Sequence, residues 1–148
     1  MRKFVFASVA LVAILCASCA GSGEVSGDRR TVGNVAVTFT VRPARVEVGR
    51  SVRLTLRMAN VAGLPAELTF PTSQLYDFWV TRGKTEVWRW SKERVFTPAV
   101  EKRTIEPLAT LTLAEPWVAR SSGSYVVHGE LYANGFRDGL TGELKVGD

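Results

Sequence analysis

Residues 51–58 read Ser-Val-Arg-Leu-Thr-Leu-Arg-Met. Val52, Leu54, Leu56 and Met58 alternate with Ser51, Arg53, Thr55 and Arg57. Successive side chains on a strand point to opposite faces, so this period of two predicts a half-buried strand with a wet, basic face. A helix would need apolar residues three and four apart, and this run does not supply them.

The same period governs the chain on both sides. Val35, Val37, Phe39 and Val41 alternate with Ala36, Thr38 and Thr40 until Pro43 ends the run. Gly63 and Pro65 break the chain after the 51–58 strand, and Leu68 and Phe70 mark a short strand stopped by Pro71-Thr72-Ser73. Leu75–Thr81 sets Tyr76, Phe78 and Val80 on one face and Leu75, Asp77 and Trp79 on the other. Arg82-Gly83-Lys84 is a hairpin turn leading into a strand at Thr85–Trp90. Ser91-Lys92-Glu93-Arg94 is a polar turn, and Val95–Val100 reads as a short irregular strand interrupted by Pro98. Further strands are expected near 108–113, at Tyr125–Tyr132 and at Leu140–Val146.

That makes about eight or nine short strands with turn signals every ~8–12 residues, and no apolar stripe of helical period beyond two turns. One-sided apolar sheets must cover one another, so the expected fold is an all-β, two-sheet antiparallel sandwich. Ser122-Gly123-Ser124-Tyr125-Val126-Val127 makes it immunoglobulin-like. Tyr125 fits a tyrosine corner that bonds back to nearby backbone, and Val127 stands where antibody domains carry a cysteine.

The first residues, MRKFVFASVALVAILCASCA, do not belong to the fold. Arg2 and Lys3 precede an apolar run, Phe4 to Leu15, too short to span a bilayer. Residues 1–18 are expected to be a secretory signal of lipoprotein type. Leu15-Cys16-Ala17-Ser18-Cys19 resembles a bacterial lipobox, with Cys19 as the acylated residue, although Cys16 stands where leucine is usual. The alternative is an ordinary signal cut after Ala20. Residues 19–32 are Gly/Ser-rich and polar and read as a flexible tether. Residues 33–148 are expected to form the domain, exported and held at the cell envelope by lipid.

The chain's two cysteines both lie in the signal region, so no disulfide braces the fold. About 115 residues remain after the tether, enough for one core. Without Arg2 and Lys3 there are 17 basic and 14 acidic side chains, a charge too mild and scattered to argue for nucleic acid. The single histidine, His128, lies by alternation on the face opposite Tyr125 and Val127. Alone it makes neither a base nor a metal site, which need positioned partners. No phosphate-cradling loop, nucleophile elbow or metal-spaced acidic cluster is present. The sequence therefore predicts no enzyme, no cofactor, no metal and no small-molecule substrate.

What remains is contact. Trp88 and Trp90 share one face of their strand, with Arg89 on the other. They can cap the core, with Arg94 or Lys92 stacked on an exposed edge. The following loop can equally be a recognition element, since loops on rigid scaffolds carry binding and exposed Trp, Tyr and Arg anchor interfaces. Candidate contact residues are Arg94, Phe96, Thr97 and Pro98, with Trp88 and Tyr76 as an adjoining aromatic patch. Pro98 restricts the loop residue before it and lowers the cost of ordering the loop.

Phe70-Pro71-Thr72-Ser73-Gln74-Leu75-Tyr76-Asp77-Phe78, followed by Val87-Trp88-Arg89-Trp90-Ser91-Lys92-Glu93-Arg94-Val95-Phe96-Thr97, resembles the intracellular proteinase inhibitor (BsuPI-type) family. The segments Leu111–Trp117 and Gly123-Ser124-Tyr125 fit the same pattern, and the resemblance spans about residues 35–146. It implies an immunoglobulin-like sandwich and, as in the founding member, inhibition of a subtilisin-type serine protease. It places no reactive bond on this chain. The export signal departs from the family's intracellular name. Two functions therefore stand side by side: an envelope-anchored protease inhibitor, and a non-inhibitory immunoglobulin-like adhesion or assembly module.

Overall fold

Alternation becomes burial along Ser51–Asn60. Val52, Leu54, Leu56 and Met58 are buried, while Ser51, Arg53 and Arg57 face solvent. The computed structural model describes residues 25–136 and 139–148. The signal, Cys19 and the first part of the tether lie outside these described residues.

Among the described residues eleven strands run in order: β1 (Ser26–Val32), β2 (Val35–Arg42), β3 (Arg45–Glu47), β4 (Ser51–Asn60), β5 (Ala66–Phe70), β6 (Tyr76–Arg82), β7 (Thr85–Arg89), β8 (Glu101–Ile105), β9 (Thr110–Val118), β10 (Gly123–Leu131) and β11 (Leu140–Gly147). A 3-10 turn, Trp90–Glu93, follows β7. One sheet is ordered β1-β2-β4-β9, the other β3-β11-β10-β6-β7, and β5 and β8 form a separate ribbon. This is an immunoglobulin-like, all-β sandwich without a disulfide. β2, β4 and β9 correspond to the A-B-E layer, and β6, β10 and β11 to the C-F-G layer. β7 stands as C′, and β3 joins β11 in parallel.

The strand count exceeds the expected eight or nine for identifiable reasons. Ser26–Val32, read as part of the tether, is β1. Its Gly and Arg content hid a strand that pairs along its whole length with β2. β3 has three residues, too few to show a period. Val95–Val100, expected as an irregular strand, is loop, and the strand lies beyond it at Glu101–Ile105. That segment, Glu-Lys-Arg-Thr-Ile, carries almost no apolar alternation and is held in place by pairing with β5.

The core closes between the sheets. Phe39 on β2 and Phe78 on β6 are fully buried with ring centroids 5.8 Å apart. Burying each such side chain contributes about 2–3 kcal/mol. Gly129 on β10 makes room for Phe39, because a Cβ there would meet the ring at 2.6 Å. Trp117 packs edge-on against Tyr125 at 5.5 Å, so the tryptophan seated in the core comes from β9. Trp88 and Trp90 are only half-buried against it. The Tyr125 hydroxyl donates to the Ser121 carbonyl at 2.7 Å and lies 2.8 Å from Ser121 Oγ, which makes the tyrosine corner. Val127 is fully buried without a cysteine partner. All strands and the whole core cluster of the described residues lie within residues 26–147, so a chain beginning at residue 20 retains every contact described and carries its own fold.

Candidate functional site

The 3-10 turn exists because of a carboxylate beneath it. Asp77 on β6 is only 1% exposed. Its Oδ2 accepts from Arg89 Nη1 at 2.7 Å and from Ser91 Oγ at 2.6 Å, and its Oδ1 accepts from the Ser91 backbone N–H at 3.2 Å. A buried charge persists only when paired and hydrogen-bonded, and here all three bonds come from the end of β7 and the first residues of the turn. Burial works against the Arg89 guanidinium, but its bonds to Asp77 and Glu86 outweigh it and hold the group above its usual value. Asp77 therefore fixes where β7 ends and where the next loop leaves the sandwich.

That loop is then pinned at three points. At its start the Arg94 N–H donates to the Ser91 carbonyl at 3.0 Å, closing the turn. In its middle the Thr97 N–H donates to Ser73 Oγ at 2.8 Å, and the Ser73 N–H donates to the Thr97 carbonyl at 3.0 Å. At its end Glu101 pairs with Phe70 in the β5-β8 ribbon. Between the pins the side chains other than Phe96 face water. Val95 is 96% exposed and Val100 66%, with Pro98 also exposed.

Three of the six predicted contact residues converge on one ring. Tyr76 stacks on Trp90 with centroids 4.4 Å apart and 24° between planes. Phe96 tilts against Trp90 at 5.8 Å. The Arg94 guanidinium lies over Trp90 at 4.3 Å while its Nε donates to the Trp90 carbonyl at 3.3 Å. Trp90 is the hub, and it was not among the singled-out contact residues. The signal for it was present in its sharing a face with Trp88. Its Nε1–H is shut from solvent and finds no acceptor among the described residues, so the stack is held by shape and the arginine above it.

Trp88 lies beside this stack. With Val87, Trp90, Arg94, Glu115 and Pro116 it lines a cleft of about 660 Å³ between β7 and β9, which are edge strands of the two sheets. Glu115, also missed in the sequence, accepts from the Tyr76 hydroxyl at 2.6 Å and ties the two sheets together at the cleft floor. Burial, then this bond, raises the Tyr76 phenol well above its ordinary range. A larger open groove of about 1060 Å³ lies elsewhere, between Pro43, Arg50 and Lys145, and holds no predicted residue.

His128 is a locally bonded strand residue on the face opposite Tyr125 and Val127. It is half-buried and stacks on Trp79 at 4.8 Å with rings 2° from parallel, and its Nε2 lies 3.0 Å from Thr81 Oγ1. Arg89 covers the Trp79 ring at 4.5 Å. Burial, then the nearby Arg89 charge, pull the His128 imidazole below its usual value. No carboxylate among the described residues is hydrogen-bonded to the ring. Among the described residues no group of three His, Cys, Asp or Glu could hold a metal.

The family model described as BsuPI, intracellular proteinase inhibitor, matches residues 38–136. The chain belongs to the BsuPI intracellular proteinase inhibitor family. The matched span contains Asp77, the Trp90 stack and the whole Arg94–Val100 loop, so every predicted contact residue lies inside the BsuPI domain. No curated protein matches the sequence. Among solved structures, Spo0M, the sporulation control protein of Bacillus subtilis, is 12% identical; the match covers 79% of this chain and 51% of that one at a TM-score of 0.47. The CARDB domain of a Pyrococcus furiosus protein, in complex with di-metal ions, is 12% identical over 83% and 92% at 0.40. A β-glucosidase from Listeria innocua is 11% identical over 84% and 16% at 0.42. The BsuPI chain spans 28% of the first similar structure, a Pseudomonas fluorescens alkylpurine DNA glycosylase.

Proposed function

We propose that this chain is an exported domain, anchored at the cell envelope through an acylated Cys19, that binds and inhibits a subtilisin-type serine protease through the Arg94–Val100 loop. Family membership supports the inhibitory class. The observation that carries the site is the pinning of Thr97. Both its N–H and its carbonyl are bonded to Ser73, which holds an otherwise exposed loop in one conformation. A pre-ordered loop surrenders little entropy on binding, so more of its contact energy appears as affinity. The Thr97 backbone is held by Ser73 and Phe96 leans on Trp90, and the most exposed large apolar side chain of the loop is Val95, with Arg94 beside it. Val95 joins the candidate residues on this ground.

A stoichiometric titration tests the proposal. Purified residues 20–148 are expected to slow a subtilisin-type protease with a one-to-one end point. Val95→Glu should weaken inhibition about 100-fold with unchanged melting, as for a hot-spot side chain. No inhibition at any ratio would leave the non-inhibitory adhesion or assembly module. The anchor has its own test, because mass spectrometry of the mature N-terminus should find an acylated Cys19. An unmodified start at Gly21 would contradict it.

A further inference from the structure

Register arranges the outer face of the β1-β2-β4-β9 sheet in rows. Arg42 lies directly opposite Arg53, and Thr40 opposite Thr55. In the third row Arg29, Thr38 and Arg57 follow one another across β1, β2 and β4. The arginines Arg29, Arg42, Arg53 and Arg57 are exposed, and none has an ion pair among the described residues. No carboxylate of these strands shares the face. Glu115 pairs in register with Leu54 and turns inward to Tyr76, and Asp28 shares the side of Phe39. Like charges set directly opposite on a sheet destabilise it, so Arg42 against Arg53 is a cost that an anion would remove.

We propose that this face docks on an anionic phospholipid surface. It is broad, acid-free and built on rows ~7 Å apart along strands ~4.8 Å apart, a geometry suited to many separate phosphates on a plane. Threonine hydroxyls between the arginines supply further hydrogen bonds to phosphate oxygens. The position of the chain's start agrees. Ser26 pairs with Val41, next to Arg42. The stretch from Cys19 to Ser26 spans at most about 25 Å fully extended, so an acyl anchor at Cys19 would bring the arginine face to the bilayer. This docking rests on the envelope placement proposed above but not on inhibition.

Vesicle sedimentation of residues 20–148, which lack Cys19, separates docking from acylation. The chain should bind phosphatidylcholine vesicles containing phosphatidylglycerol, leave purely zwitterionic ones, and release as salt rises to about 0.5 M. Arg53→Glu with Arg57→Glu should weaken binding at least about ten-fold. Lys84→Glu with Lys102→Glu, the same change of charge elsewhere, should weaken it less than about three-fold. Arg53→Gln with Arg57→Gln, an intermediate loss, guards against a fold effect. Equal binding to zwitterionic vesicles, equal loss in the Lys84 and Lys102 pair, or firmer retention on duplex DNA than on vesicles would each overturn the proposal.

Discussion

Two arginines lie over two tryptophans in this molecule, at nearly the same distance and with different consequences. Arg89 covers Trp79 at 4.5 Å, and Arg94 covers Trp90 at 4.3 Å. Arg89 also bonds a carboxylate buried to 1% exposure, and its tryptophan is backed by His128. That stack is closed by a buried countercharge that bonds the arginine itself. Among the described residues the Arg94 guanidinium bonds only the carbonyl of the residue it covers, and next to it stands the almost fully exposed Val95. That stack is open. The contact type alone therefore does not tell scaffold from site. What distinguishes them is whether a buried countercharge completes the arrangement.

The comparison breaks most severely at Arg89. Arg89→Ala leaves the Asp77 charge buried with only Ser91 to satisfy it, and is expected to cost about 3–5 kcal/mol in a denaturant titration. A loss below about 1 kcal/mol would mean that the closed stack is not structural. Asp77→Ala should cost less, about 2–3 kcal/mol, because the arginine it abandons is 31% exposed and still bonds Glu86. That change should also loosen the turn at Ser91, so backbone amide exchange at Arg94 and Thr97 is expected to quicken.

The smallest effect is a pH dependence confined to the closed stack. His128 titrates below its ordinary value in the folded state. The unfolded chain therefore binds more protons in the window just below about 6.5, and stability falls as pH drops through it. The contribution is fully present above that value. His128→Gln should flatten the slope between neutral pH and mild acid, and an unchanged slope would remove the histidine from the account.

Much of the fold could be read in the chain because apolar alternation and burial are one signal seen twice. β2, β4, β6 and β11 lie where the period of two places them, and Tyr125 makes the corner that its setting implied. The rest was hidden wherever pairing, rather than hydrophobicity, makes the strand. β1 and β8 are polar ribbons defined by their partners. The site was legible as a neighbourhood: Tyr76, Arg94 and Phe96 do meet, and Trp88 borders their cleft. Its organiser was not. Asp77 in an alternating strand reads as a solvent-face residue, and only the β6-β7 register brings Arg89 and Ser91 to it. The Trp79–His128 stack likewise needs β6 and β10 to be neighbours, which no local pattern states.

Arg94→Ala tests the central claim most directly, with melting temperature and inhibition of a subtilisin-type protease measured on the same preparation. Arg94 contributes an exposed cation–π contact worth about 0.5–1 kcal/mol, so melting should move by no more than a few degrees. Inhibition should weaken at least about ten-fold, because an interface arginine is removed from the open stack. Unchanged inhibition with a large fall in melting temperature would mean that the two stacks have the same role, and that the loop after Trp90 is scaffold.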